Sequence, residues 1–471
     1  MVVFGGLVLI SLVPPFGLSG QQAQTLAAVL GLVVLWSTGA IPAYLASILF
    51  FSVVVIFGIA TPEVVFAGFS SAAVWLVVSG FVIGSAVSST GLAALVAARV
   101  GPWLAHSYLG LVAGLILVCT VIAFFMPSSV GRAVVMVPIG MALADRCGLG
   151  RGSKGRTGVA VALAIGCNMP GLTILPSNIP NMVLAGSSET LWGIQLGYAG
   201  YLMLHFPIMG LAKMALAVLL IIWLFPAKLL HGASGAGVQA TLADGGAPAE
   251  ASATGTAAGP AGATSLRARR FVSVVLAGTL IMWMLDSVHG INPAWVGMVS
   301  ASILLWPRLG VVGPEAFRRA IDFGPILFVV GALAMGSLVN QSGLGGIIAG
   351  AFERTLPLAP GQDSLNFFSL VTMALGFSLL ATSAGVPALM TPMAGDLAQL
   401  TGWDLRTVLM SQVVGYSTIL FPFQVPPLIV AMQLAGERLE QVMRVILPLG
   451  LLTLVLLVPL DLVWWQILGW L

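Results

Sequence analysis

The chain has 471 residues, of which 59% are hydrophobic and only 7% charged, with a formal net charge of +3. A soluble domain carries about 25% charged residues, so this composition excludes a soluble globular protein, a disordered chain and a nucleic-acid binder. No charged side chain precedes Glu63, and a bilayer accommodates such a stretch where water does not.

Apolar runs punctuated by Gly and Pro predict helices near 2–17, 25–42, 44–60, 71–97, 108–127, 129–144, 158–186 and 197–225. The apolar start lacks a basic n-region, which favours a first membrane helix over a signal peptide. From Gly232 to Arg270 the chain is Gly, Ala, Ser, Thr and Pro with few large apolar residues, the composition of a flexible linker. Helices resume near 271–286, 293–306, 324–342, 365–381, 384–399, 405–433 and 441–466. Trp464, Trp465 and Trp470 read as an interfacial aromatic belt. Cys119, Cys147 and Cys167 lack metal-ligand spacing and read as small packing residues. The fold class is an all-α polytopic membrane protein of about eleven transmembrane helices. Its first half is 1–230, a cytoplasmic linker is 231–270, and its second half is 271–471.

The basic residues orient the chain. With the N-terminus in the cytoplasm and 108–144 and 365–399 folded as re-entrant hairpins, fourteen of the 18 basic residues fall inside. Arg354 and Arg406 fall outside, and Arg132 and Lys213 lie within spans. That is the positive-inside asymmetry.

The two halves share motifs. Residues 126–145 read MPSSVGRAVVMVPIGMALAD and residues 381–398 read ATSAGVPALMTPMAGDLA. Ser128-Ser129 precede Pro138 by ten and nine residues, as Thr382-Ser383 precede Pro392. Downstream, TILPSNIPNMVLAG starts at Thr173 and TILFPFQVPPLIVAM at Thr418. Each half thus has a small polar hairpin tip, in 108–144 and 365–399, and a Pro-broken helix, in 158–186 and 405–433. The number of crossings between them makes the repeats antiparallel. Inverted repeats with broken helices place a binding site near the bilayer midplane. Helix N-termini there favour anions, while exposed carbonyls can hold Na⁺.

These motifs resemble the divalent-anion/sodium symporter family of the ion transporter superfamily, over nearly the whole chain except the linker. The stretch opening WSTGAIPAYLA at Trp36 is similar to the family's first helices, and GINPAWVGMVSASILLWPRLGV to the start of its second half. The family carries a Ser-Asn-Thr tip on each hairpin. Here the tips match at Ser128, Ser129 and Val130 and at Thr382, Ser383 and Ala384, so both Asn positions are Ser and both Thr positions are apolar. The resemblance implies substrate contact by Ser128, Ser129, Thr382 and Ser383, which could also hold Na⁺ as coupling ion. The family's second motif matches 177–181 and 423–427, which brings Asn178, Asn181 and Gln424 near substrate, or sets them to cap broken backbone. The resemblance further implies an elevator-type transport domain moving against a scaffold that forms a homodimer.

Arg132 lies four residues after Ser128, one helical turn into the second hairpin arm. No Asp or Glu occurs from Val64 through Ala144. A guanidinium in a span needs a partner, and a small anion gripped by two parallel hydrogen bonds is a natural one. A snorkelling Arg bonded to carbonyls is the other reading. Lys213 reads as a helix-packing residue, and no paired buried carboxylates suit proton antiport.

The expected function is secondary transport of a dicarboxylate or a sulfate-like oxyanion, coupled to a cation or run as exchange, with no cofactor beyond Na⁺. The expected setting is a bacterial inner membrane. An Na⁺/H⁺ or arsenite-type permease is the alternative within the superfamily. A membrane-embedded enzyme is the alternative of another class, and no His or Lys base adjoins Ser128 or Ser129 to support it, so the chain is not expected to be an enzyme.

Overall fold

Every regular element among the described residues is helical, in a computed structural model that describes 14–92, 95, 106–229, 266–308, 311–353 and 356–471. The principal helices of the first half are α1 (Gly20–Thr38), α2 (Ala43–Ile56), α3 (Ala72–Ser89), α4 (Tyr108–Ala123), α5 (Ser129–Arg146), α6 (Lys154–Asn168), α7 (Ile179–Trp192) and α8 (Tyr198–Leu224). Those of the second half are α9 (Leu266–Met284), α10 (Pro293–Leu305), α11 (Phe323–Gln341), α12 (Asp363–Met390), α13 (Leu405–Ser417), α14 (Pro426–Ala435) and α15 (Leu439–Ile467). Local chemistry sets their ends. Ser19 and Gln22 form a capping box on α1, and Ser107, Ser153 and Asp404 cap α4, α6 and α13 by accepting from backbone N–H groups. Gly193 and Gly436 end α7 and α14 in the left-handed conformation.

Among the described residues, five stretches are long and apolar enough to cross a membrane: α3, α8, α11, Asp363–Thr401 and α15. The helices α2, α4, α10 and α14 are shorter and apolar. Large apolar side chains stand on the outer surface, among them Ile56 at 77% exposure and Trp223 at 75%. Lipid, not water, is the solvent that such a surface suits. The protein is an all-α multi-pass membrane protein.

Several details differ from the sequence reading. Residues 266–270, assigned to the linker, already belong to α9. Arg and Leu are good helix formers, and Arg269 Nε donates to the Thr90 carbonyl just past α3, at 2.9 Å. Short helices at Pro62–Phe66, Pro314–Ala320 and Leu344–Glu353 were not foreseen, since so few turns show little periodicity. The predicted helix at 2–17 survives in view only as a short turn at Pro15–Gly17, its first residues lying outside the described ones. The linker over 230–265, the end of the helix predicted at 71–97, Arg99 and Arg354 also lie outside them.

Both Pro-broken helices are present. α6 gives way to short turns at Pro170–Thr173 and Leu175–Ser177 before α7 begins. α13 gives way to a turn at Pro422–Gln424 before α14. The segment expected to form the second half's hairpin is one long run whose helical backbone breaks at Ala381 and Thr382. Thr382 has φ 63°, the one positive φ outside Gly among the described residues. Packing is reciprocal between the halves. α5 and α6 pack together and against α14, the far arm of the other half's broken helix. α12 and α13 pack together and against α7, the far arm of the first. α3 packs on α10, and α2 on α11.

Candidate functional site

The first break exists because Pro170, Pro176 and Pro180 have no N–H to continue the ladder. The carbonyls released must find donors inside the protein, because lipid offers none. Asn181 Nδ2 donates to the Gly171 and Ile174 carbonyls, each at 2.8 Å. The Tyr201 hydroxyl donates to the Leu172 carbonyl at 2.9 Å. Arg132, wholly buried, supplies the rest. Its Nε donates to the Cys167 carbonyl at 2.8 Å, its Nη1 to the carbonyls of Met126 and Ser177 and to Ser177 Oγ, and its Nη2 to Ser129 Oγ at 2.9 Å. The guanidinium thus ties the hairpin tip, where Met126 and Ser129 sit, to both sides of the break. Gly171 leaves it room: a Cβ there would lie 2.5 Å from Arg132 Nη2.

The second break uses different groups. Gln424 Oε1 accepts from the N–H groups of Leu420 and Phe421, each at 2.8 Å. Its Nε2 donates to Ser378 Oγ at 2.8 Å, and Ser378 Oγ meets Ser383 Oγ of the hairpin tip at 3.3 Å. Lys213, 1% exposed on α8, donates from Nζ to the carbonyl of Ser417, the last residue of α13. The two breaks are joined directly. The Tyr416 hydroxyl donates to Asn181 Oδ1 at 3.0 Å and lies 2.8 Å from the Tyr201 hydroxyl.

The predicted residues therefore fall into two groups. Ser129, Arg132 and Asn181 gather at the first break, and Ser383 and Gln424 at the second. Ser128 caps α5, accepting from the Gly131 N–H at 3.0 Å. Thr382 forms the kink of the other tip. Asn178 stands at the start of α7, its Oδ1 accepting from the Ile179 N–H and its Nδ2 buried without a partner among the described residues. Ser417 Oγ and Asn168 Oδ1, at the ends of the two first arms, are likewise buried without partners among the described residues. Of the two readings of Asn181 and Gln424, the structure displays backbone capping. Arg132 was expected to grip an anion; in the structure its hydrogen bonds go to five protein oxygens, three of them shared by Nη1 and one taken by Nη2. No carboxylate was needed, because the break and the tip release carbonyls that a search of the sequence for acids does not register.

Sequence reasoning missed Ser177, Tyr201 and Tyr416, and gave Lys213 only a packing role. It also passed over Asp461, which is fully buried in α15 with both carboxylate oxygens unpartnered among the described residues. A lone acid inside the apolar run around Pro459 was the available signal. The described residues contain no group of three His, Cys, Asp or Glu that could hold a metal ion.

A sequence profile of the citrate transporter family, CitMHS, matches residues 33–415. A relative from Cupriavidus necator, named only as a membrane protein, is 23% identical over 415 residues, covering 86% of this chain and 76% of its own length. Among solved structures, the Alcanivorax borkumensis YdaH transporter, described as having an unusual topology, is similar with a TM-score of 0.51 at 15% identity. That likeness covers 96% of this chain and 99% of the other, and it speaks to the fold alone.

Proposed function

The chain belongs to the citrate transporter family, and from that premise we propose that it is a secondary active transporter of a small carboxylate anion, citrate or a dicarboxylate. A sulfate-like oxyanion belongs to the same chemical class and is the comparison to make. The reading rests on one observation above all. Two Pro-broken helices meet through Tyr416 and Asn181, and beside them a buried Asn178 Nδ2 has no acceptor among the described residues at the start of α7. A helix N-terminus with an idle amide donor suits an anion.

The remaining parts of the reading follow from the reciprocal packing and from the resemblance to divalent-anion/sodium symporters. The halves are inverted repeats, and 108–144 and 365–399 are re-entrant hairpins. The hairpins and broken helices move together as an elevator against the other helices, which hold a homodimer together in a bacterial inner membrane with the N-terminus in the cytoplasm. Ser128, Ser129, Thr382 and Ser383 shape the tips that close over the anion. Arg132 holds the first tip on its break rather than meeting the anion itself.

Counterflow of labelled citrate, succinate and sulfate in proteoliposomes tests the function. A carboxylate exchanges, and Asn178→Leu weakens its half-saturation by about tenfold, the equivalent of 1.4 kcal/mol. Liposomes of well-folded protein that exchange none of the three anions refute the reading.

A further inference from the structure

Each broken helix has a first arm that ends at the break, α6 at Asn168 and α13 at Ser417. The last carbonyls of such an arm have no partner within the helix, and the aligned peptide dipoles give that end a partial negative charge. In transporters with broken helices, these C-terminal ends and the unwound carbonyls beside them are where coupling cations are coordinated. In this chain both ends are already met by a buried basic side chain. At the first, Arg132 Nε lies 2.8 Å from the carbonyl of Cys167, in the last turn of α6, and the same guanidinium reaches the Met126 and Ser177 carbonyls and two hydroxyls. At the second, Lys213 Nζ donates to the carbonyl of Ser417.

Neither cation is neutralised by an acid. The salt bridges among the described residues are Arg156–Asp145, Arg319–Glu315 and Arg438–Glu440, and Arg132 and Lys213 are in none of them. Two unneutralised charges inside a membrane protein are costly, and carbonyl dipoles offset only part of that cost. The two residues also come from unrelated places. Arg132 belongs to the hairpin of its own half, while Lys213 reaches the second half from α8, immediately after the π-helical segment Phe206–Ala212. A duplicated sequence feature does not account for both, whereas a shared electrostatic task does.

We propose that Arg132 and Lys213 are built-in cations that take the place of coupling sodium ions at the two breaks, so that the anion is bound and exchanged without Na⁺. This rests on the transporter reading above and adds the coupling chemistry to it. The hydroxyls of the first tip fit the proposal: Ser129 Oγ accepts from the guanidinium and Ser128 Oγ from a backbone N–H, so each already spends a lone pair.

The first measurement needs no substrate. The purified full-length chain in detergent is melted in NaCl and in choline chloride at equal ionic strength. The wild-type midpoints agree within about 1 °C, because no Na⁺ site remains to stabilise the folded form by mass action. Lys213→Ala removes the ammonium and leaves space beside the Ser417 carbonyl, so its midpoint rises with NaCl in a saturable way that choline does not reproduce. Lys213→Met fills the same space without charge and shows no such rise. A saturable NaCl-specific rise in the wild type overturns the proposal, and the wild-type arm decides even if a variant fails to fold. A folded Lys213→Ala protein that responds to NaCl no more than the wild type also overturns it. The second measurement is counterflow of labelled citrate in proteoliposomes, where replacing Na⁺ by choline changes the rate less than twofold. A rate that collapses in choline overturns the proposal. Failure of citrate, succinate and sulfate alike to exchange in either salt removes the transporter reading instead, and the melting comparison still judges the cations.

Discussion

Replacing Arg132 by Met separates a structural role from a ligand role. Met keeps most of the length and packs in an apolar setting, but it has no donors. The carbonyls of Met126, Cys167 and Ser177 then lose their partner in a fully buried site. Each unsatisfied buried acceptor costs about 1–3 kcal/mol, which sums to about 3–9 kcal/mol for three. The relief of no longer burying a charge offsets part of this, so a net loss of about 3–5 kcal/mol is expected, the range seen when one member of a buried charged interaction is removed. At about 2 °C per kcal/mol for a chain of this size, the melting midpoint falls by roughly 6–10 °C. Thermal unfolding of a membrane protein in detergent is commonly irreversible, so wild type and variant are compared at one scan rate. Arg132→Lys keeps the charge but not the planar set of five donors, and falls between the two. A ligand role gives another pattern: Arg132→Met melts like the wild type and loses only its stabilisation by citrate. That outcome refutes the account of Arg132 as the tie between hairpin tip and broken helix.

Two further positions make independent tests. A Cβ at Gly80 would sit 2.2 Å from Pro127 Cγ, so α3 and the first hairpin tip touch with no room between them. Gly80→Ala therefore wedges that contact at about 1–3 kcal/mol and slows citrate counterflow, and an unchanged rate shows that the contact does not matter for transport. Gln424→Leu strips the acceptor from two backbone N–H groups and lowers the melting midpoint, while Gln424→Glu keeps an acceptor for both and falls less. Equal losses in the two variants contradict the role assigned to Oε1.

The architecture was readable because membrane folds are written in long apolar runs and in Pro. The breaks at 158–186 and 405–433 were predicted from Pro and small polar residues, and short turns lie inside both spans. Thr382 was singled out as part of a polar tip, and its backbone is where α12 loses helical geometry. What stayed hidden was the pairing of side chains across long separations. Lys213 meets Ser417 across 204 residues and Tyr416 meets Asn181 across 235, and no local pattern encodes such a contact. Asp461 stayed hidden for the opposite reason, since a single acid in an apolar run changes a window average very little.

The two halves also show why a repeat can be plainer in packing than in sequence. A broken helix in lipid leaves carbonyls on one arm and N–H groups on the other, and every one must be answered inside the protein. The first half answers its carbonyls, with the amide hydrogens of Asn181 and the guanidinium of Arg132. The second half answers its N–H groups, with the amide oxygen of Gln424, and reaches out to Lys213 for the carbonyl of Ser417. Pro426 and Pro427 then open α14 with two residues that have no N–H to satisfy, whereas α7 opens with Ile179, whose N–H needs Asn178. Each half meets the same problem with its own set of donors and acceptors, so the residues differ while the geometry stays paired. A Ser-Asn-Thr tip is one solution to that problem and not a requirement of it, which is how Ser128-Ser129-Val130 and Thr382-Ser383-Ala384 can stand in the corresponding places.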